Sequence, residues 1–260
     1  MNRKTLIVAN WKMNLNVSQS SLLMHRLDKK IVSHHNIEIV IAPSMLALQP
    51  LSKEINHQKF SLACQNAYFK DEGAFTGEVS FSMLNGLVNY GIVGHSARRI
   101  YFHESLEEVR DKVKAAVRND IVPILCIGET KPERLADETS QVLHDQLTSA
   151  IYHLTSDEVS KIVIAYEPIW AISTFDGEQS KPADMQHALK FIRHQIEDLH
   201  GYDVAKEVRI LYGGSVDSHD ILAYLSLEDC DGVLVGAASL NYEQFSTIVQ
   251  KAYTLKYSKE

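Results

Sequence analysis

A chain of 260 residues exceeds one average domain and falls short of two full ones, which admits a single large α/β barrel or a pair of small domains. Apolar residues at 45%, charged residues at 23% and aromatics at 8% exclude a disordered, collagen-like or coiled-coil chain. With 26 Lys and Arg against 33 Asp and Glu, a net charge of −7 supplies no basic field for a phosphodiester backbone, so no nucleic-acid partner is expected.

Short apolar, β-branched runs recur along the chain. The first is TLIVAN from Thr5, whose apolar stretch is too short for a signal-peptide core. IEIVIA from Ile37, FSLAC from Phe60 and YGIVG from Tyr90 follow. Leu106, Val109, Val113 and Val117 then step by three and four, the spacing of a helix with one buried stripe. After IVPILCIG from Ile121, Thr130, Pro132 and Glu133 form a capping box with Pro in the first turn, which predicts a helix start. KIVIAYE from Lys161, VRILYG from Val208 and GVLVG from Gly232 complete the strands, and Phe245, Ile248, Val249, Ala252 and Tyr253 form a last helical stripe.

The runs are continuous rather than alternating, as parallel strands covered on both faces require. Eight strand–helix units with no Gly/Ser/Pro linker predict an α/β fold, a single-domain (β/α)8 barrel spanning residues 1–260. A doubly wound open sheet is the weaker alternative, because no G-x-G-x-x-G follows the first run. No run approaches the length of a membrane span. Cys64, Cys126 and Cys230 form no C-x-x-C pair, which predicts a reducing, cytoplasmic setting.

In such a barrel, chemistry sits at the C-terminal strand ends. Those ends carry Asn10 and Lys12, Gln65 and Asn66, His95 and Ser96, Glu129, and Glu167, while the last two strands end in glycines followed by Ser215 and Ser239. Lys12, His95 and Glu167 suit proton abstraction beside a carbonyl: a carboxylate takes the proton, an imidazole polarises the oxygen and an ammonium steadies the enediolate. The glycine-rich ends suit a phosphate, so a small phosphorylated carbonyl compound is the implied substrate. Taken singly, Lys12 or Glu167 reads as a solvated rim charge, His95 as a hydrogen-bonded structural histidine and the GGS at Gly213 as a turn. Their convergence on one end of one architecture carries the functional reading. The other histidines show no grouping with Cys or carboxylates that would bind metal.

NWKMN at 10–14, CQNAY at 64–68, GAFTGE at 73–78, GHS at 94–96, ILCIGET at 124–130, AYEPIWAI at 165–172, YGGSV at 212–216 and LVG at 234–236 resemble, in order, the signatures of the triosephosphate isomerase family. The resemblance implies a TIM barrel that interconverts dihydroxyacetone phosphate and glyceraldehyde 3-phosphate without metal or organic cofactor. It implies Glu167 as base, His95 as neutral electrophile, Lys12 as electrostatic anchor and Asn10 as its orienting partner. Ser173, Ser215, Gly236 and Ala237 are implied at the phosphate. Residues 168–178 are similar to the family's lid, and the loop around Thr76 to its dimer-forming arm, so a homodimer is implied with Thr76 reaching the partner's site.

The departures are Ala97 where the family carries glutamate, Ser173 and Phe175 in place of lid glycines, Asp176 near a usual lysine, about two extra residues before Pro182, and Ala237 in place of a glycine. Ala97 predicts a less firmly held Lys12 unless Glu78, Glu104 or another acid compensates. Ser and Phe resist the positive φ that glycine tolerates, which predicts a different lid path. Ala237 is mild if its φ is negative. A four-carbon ketose phosphate isomerase and a catalytically decayed phosphate-binding protein are the alternatives.

Overall fold

The computed structural model describes residues 3–172 and 180–257. Its first half runs β1 (Thr5–Asn10), α1 (Val17–Lys30), β2 (Ile37–Ala42), α2 (Met45–Glu54), β3 (Phe60–Cys64), α3 (Phe81–Leu84), β4 (Tyr90–Val93), α4 (Ser96–Tyr101) and α5 (Leu106–Arg118). There follow β5 (Val122–Ile127), α6 (Lys131–Leu135), α7 (Thr139–Ile151), α8 (Ser156–Val159), β6 (Val163–Tyr166), α9 (Pro182–His200), α10 (Tyr202–Ala205), β7 (Arg209–Tyr212), α11 (Ile221–Leu225), β8 (Gly232–Val235) and α12 (Tyr242–Tyr257). The strands close in sequence order into an eight-membered parallel barrel, sealed by β1 on β8 with Leu6 opposite Gly232 and Val8 opposite Leu234. The predicted (β/α)8 fold is the observed one.

Two apolar layers explain why the strands read as unbroken runs. Leu6, Val8, Val40, Ala63, Ile92, Ile124, Val163, Ala165, Leu211 and Leu234 cluster inside the barrel. Their neighbours Ile7, Ala9, Ile39, Ile41, Leu125, Ile164 and Ile210 join the helices in the outer core. Successive strand side chains point to opposite faces, so a strand buried on both must be apolar at every position. The helices bury one stripe each: α5 turns Val109, Val113 and Ala116 inward behind a Ser105–Glu108 capping box.

The helix predicted at Thr130 starts there, with Thr130 and Glu133 forming the reciprocal box. It lasts only one turn, because Asp137 adopts φ 59° and the chain restarts as α7. At the N-terminal end of the barrel Tyr90 donates to Glu38 (2.6 Å), and Arg209 donates to Glu38 (2.7 Å) and to the Tyr90 oxygen (2.9 Å). That network, together with the inner side chains, occupies the floor; the opening lies at the other end.

Candidate active site

Strand parity carries specific residues to the mouth. Two positions beyond the inward Val8, Ala63, Ala165, Leu211 and Leu234 stand Asn10, Gln65, Glu167, Gly213 and Gly236, and parity continues from Asn10 to Lys12. Three of these five supply side chains and two supply none, which leaves room. Asn10, Lys12, His95, Glu167, Gly213, Ser215, Gly236 and Ala237 line one cavity of about 340 Å³. The glycine at 213 is required: a Cβ there would lie 2.8 Å from Glu167 Cγ.

Lys12 adopts φ 53°, a left-handed conformation that costs a non-glycine residue about 1–2 kcal/mol. Two contacts hold it. Its N–H donates to Asn10 Oδ1 (3.0 Å), and its carbonyl accepts from Gln65 Nε2 (2.8 Å), which also donates to Ala42 O (2.9 Å). The twist brings the ammonium beside Gly236, where a Cβ would lie 3.7 Å from Nζ. Burial lowers the Lys12 pKa, and the Glu167 carboxylate partly opposes that. Gln65, read from sequence only as polar at a strand end, is thus the brace of the Lys12 backbone.

His95 caps α4 and is buried. Its Nδ1 accepts the Ala97 N–H at 3.1 Å, so that nitrogen carries a lone pair and Nε2 carries the proton of a neutral ring. Burial pushes the His95 pKa down, opposed by Glu167 and assisted by Lys12. Nε2 lies 3.2 Å from Glu167 Oε1. The other carboxylate oxygen accepts the Ser96 N–H at 3.0 Å. An acceptor-ready carboxylate, a neutral N–H donor and an ammonium therefore share one water-poor wall, the arrangement that proton abstraction next to a carbonyl requires.

At the other wall, Ser215 donates its hydroxyl (2.9 Å) and its N–H (3.3 Å) to Ala171 O. Ala237 opens a short 3-10 turn and is absent from the positive-φ residues, so its methyl replaces a glycine hydrogen without backbone strain. Asp217 and Asp220 also line this rim, a feature not anticipated from sequence. Their oxygens are engaged by backbone N–H groups: Asp217 N donates to Asp220 Oδ1 (2.9 Å) and His219 N to Asp217 Oδ1 (2.6 Å). Ser173 and Phe175 lie outside the described residues.

Other strand-end residues turn away. Glu129 has the outward parity, and its buried carboxylate accepts from Tyr166 (3.1 Å) and Trp170 Nε1 (2.8 Å). It thereby holds the turn Ile169–Ala171 that follows Glu167. Ser239 donates to Gly236 O (2.6 Å) and is buried. Glu104 pairs with Arg98 and Lys112 rather than with Lys12.

A second cavity of about 540 Å³ adjoins the first through Asn10, Lys12 and His95, and is lined by Met13, Met45, Ala97, Arg98 and Phe102. Residues 70–78, including Thr76, are exposed along their whole length.

A closed (β/α)8 barrel with a carboxylate, a neutral imidazole and an ammonium at its C-terminal mouth defines a class: barrel enzymes that move protons next to a carbonyl. The sequence model of the triosephosphate isomerase family matches residues 5–252. The chain is 42% identical over 248 residues to the triosephosphate isomerase of Clostridium acetobutylicum (95% of this chain, 99% of the relative). It is 40% identical over 248 residues to that of Clostridium botulinum Loch Maree (95% and 99%), and 39% identical over 250 to that of Streptococcus suis 05ZYH33 (96% and 99%). The chain belongs to the triosephosphate isomerase family.

Proposed function

We propose that this chain, acting as one domain, interconverts dihydroxyacetone phosphate and D-glyceraldehyde 3-phosphate, with Glu167 as base, His95 as electrophile and Lys12 as charge anchor. The observation that carries the assignment of roles is the contact of His95 Nε2 with Glu167 beside Lys12 in one cavity. Glu167 takes the proton from the hydroxymethyl carbon, the C–H pair becomes the enediolate double bond, and the carbonyl π pair moves onto oxygen. The His95 N–H, exchanging Glu167 for the substrate oxygen, and the Lys12 ammonium stabilise that charge. Returning the proton to the neighbouring carbon, with the hydroxyl proton passing to the other oxygen, completes the aldose. Ser215, Gly236 and Ala237 seat the phosphate, with Ser173 as the donor from the 173–179 segment.

A coupled assay with glyceraldehyde 3-phosphate tests the activity. The expected kcat/KM approaches the diffusional ceiling, about 10⁸ M⁻¹s⁻¹, a limit for which triosephosphate isomerase is itself a standard example. Turnover a thousandfold lower, with a four-carbon ketose phosphate preferred, would contradict the reading; neither that substrate nor a binding-only role is favoured by the relatives or by the intact trio.

The homodimer belongs to the same proposal. Met13 is 98% exposed, Phe102 64% and Phe75 41%, and the arm carrying Thr76 stands beside a cavity large enough to receive such an arm from a second copy. Thr76→Arg, which would bury an unpaired cation at that contact, is expected to shift sedimentation equilibrium from dimer to monomer mass with loss of turnover; a variant that stays dimeric and active would contradict the arm's role. Cytoplasmic residence is proposed on the three free, buried cysteines. Among the described residues no helix is long and apolar enough to cross a membrane.

Ala97 is a tolerated departure, because the Lys12 backbone is braced by Asn10 and Gln65. Ala97→Glu is expected to change kcat/KM by no more than about twofold, the scale of a substitution without a buried partner to lose. A rise of tenfold or more would show that Lys12 needs the missing carboxylate.

A further inference from the structure

Tyr212 ends β7 one residue before the glycines that line the cavity. Being of outward parity, it turns its ring to the helix layer, where it stacks on Tyr224 of α11 with ring centroids 4.2 Å apart and planes at 20°. Ser180 closes on both: its Oγ lies 2.5 Å from the Tyr212 hydroxyl and 3.1 Å from that of Tyr224, which in turn donates to Ser180 O at 3.0 Å. All three residues are buried.

One set of proton positions satisfies every hydroxyl. Tyr212 donates to Ser180 Oγ, Ser180 donates to the Tyr224 oxygen, and Tyr224 donates to the Ser180 carbonyl. A buried chain completed in this way is rigid: removing Ser180 Oγ leaves the Tyr212 hydroxyl without an acceptor, and removing the Tyr224 hydroxyl leaves the Ser180 proton without one.

The same phenol supports the cavity wall. A Cβ on Gly214 would meet the Tyr212 hydroxyl oxygen at 2.1 Å, so the Gly214 backbone rests directly on the group that Ser180 and Tyr224 hold. Gly213 on one side donates to Tyr166 O (2.8 Å), and Ser215 on the other donates to Ala171 O. The turn is thus fixed from below by a phenol and at both sides by strand or turn carbonyls.

We propose that Ser180 and Tyr224 are positioning residues for the phosphate seat, acting through the Tyr212 phenol on the 213–215 turn. This rests on the reading of the cavity as the site of a phosphorylated substrate. Neither side chain lines the cavity, so each acts on the phosphate end of the substrate and not on the reacting carbons.

Ser180→Ala, Tyr224→Phe and the double variant test this through three readouts: kcat/KM for glyceraldehyde 3-phosphate, kcat/KM for glyceraldehyde, which has no phosphate, and calorimetric affinity for inorganic phosphate. Each single variant is expected to lose on the order of tenfold with the phosphorylated substrate and in phosphate affinity, the scale of one buried hydrogen bond. Glyceraldehyde turnover stays at the wild-type value. The double variant loses no more than the worse single one, because both act through one chain of hydroxyls. Unchanged phosphate affinity in both single variants would overturn the proposal, and so would a parallel fall with glyceraldehyde, the mark of general loosening. A wild-type protein that binds phosphate but does not isomerise glyceraldehyde 3-phosphate would instead refute the activity, and the phosphate titrations of the variants would still decide the positioning role.

Discussion

Glu167→Asp is expected to lower kcat by at least about a hundredfold with little change in KM, because the shorter side chain withdraws the carboxylate about 1 Å from the carbon it deprotonates. The surroundings do not permit it to recover the distance. The Glu167 N–H is fixed to Ile127 O at 2.7 Å, and a Cβ on Gly128 would lie 1.9 Å from Glu167 O, so the backbone is pinned against the end of β5 and cannot follow the retracted group. Stopped-flow or steady-state kinetics with both triose phosphates measures the effect. A kcat within threefold of wild type would remove Glu167 from the role of base.

His95→Gln is expected to cost about 10²–10³ in kcat, the scale of one lost oxyanion donor, because the flexible amide does not hold an N–H where the buried, rigid ring holds the Nε2 proton. A pure rise in KM would mean that His95 binds substrate without polarising it. The protonation state gives an independent check. An ordinary histidine is half charged near pH 6.5; burial lowers the His95 value, so the neutral form persists below that pH. Nitrogen NMR of labelled protein is expected to show His95 protonated at Nε2 and bare at Nδ1 from neutral pH to below 6.5. A ring that titrates at 6.5 or above would contradict the neutral electrophile.

Much of this was legible because strands buried on both faces must be apolar throughout, and the first polar residue after each run is then informative. Asn10, Lys12, His95 and Glu167 stood out in that way. Run ends were less clear: KIVIAYE starts before β6, because Ile162 N bonds Val159 O in a helical turn (3.2 Å), and an apolar residue serves a turn as well as a strand. Glu129 looked like a mouth residue, yet one step of parity sends it outward to Trp170. The brace from Gln65 to Lys12 spans 53 residues, and the Ser180–Tyr224 contact spans 44; no local spacing encodes contacts made only when the barrel closes. Ala97 carried a prediction that depended on what else held Lys12, and only the fold shows those two hydrogen bonds.

Proton transfer through an enediolate is the central claim, and isomerisation in deuterium oxide tests it most directly. Conversion of dihydroxyacetone phosphate in D₂O, followed by NMR of the glyceraldehyde 3-phosphate formed, is predicted to place solvent deuterium on the carbon that receives the proton. Glu167→Gln is predicted to abolish both that labelling and the turnover. Rapid conversion by the Glu167→Gln protein, with or without solvent deuterium in the product, would contradict Glu167 as the base and with it proton transfer through the enediolate at this site.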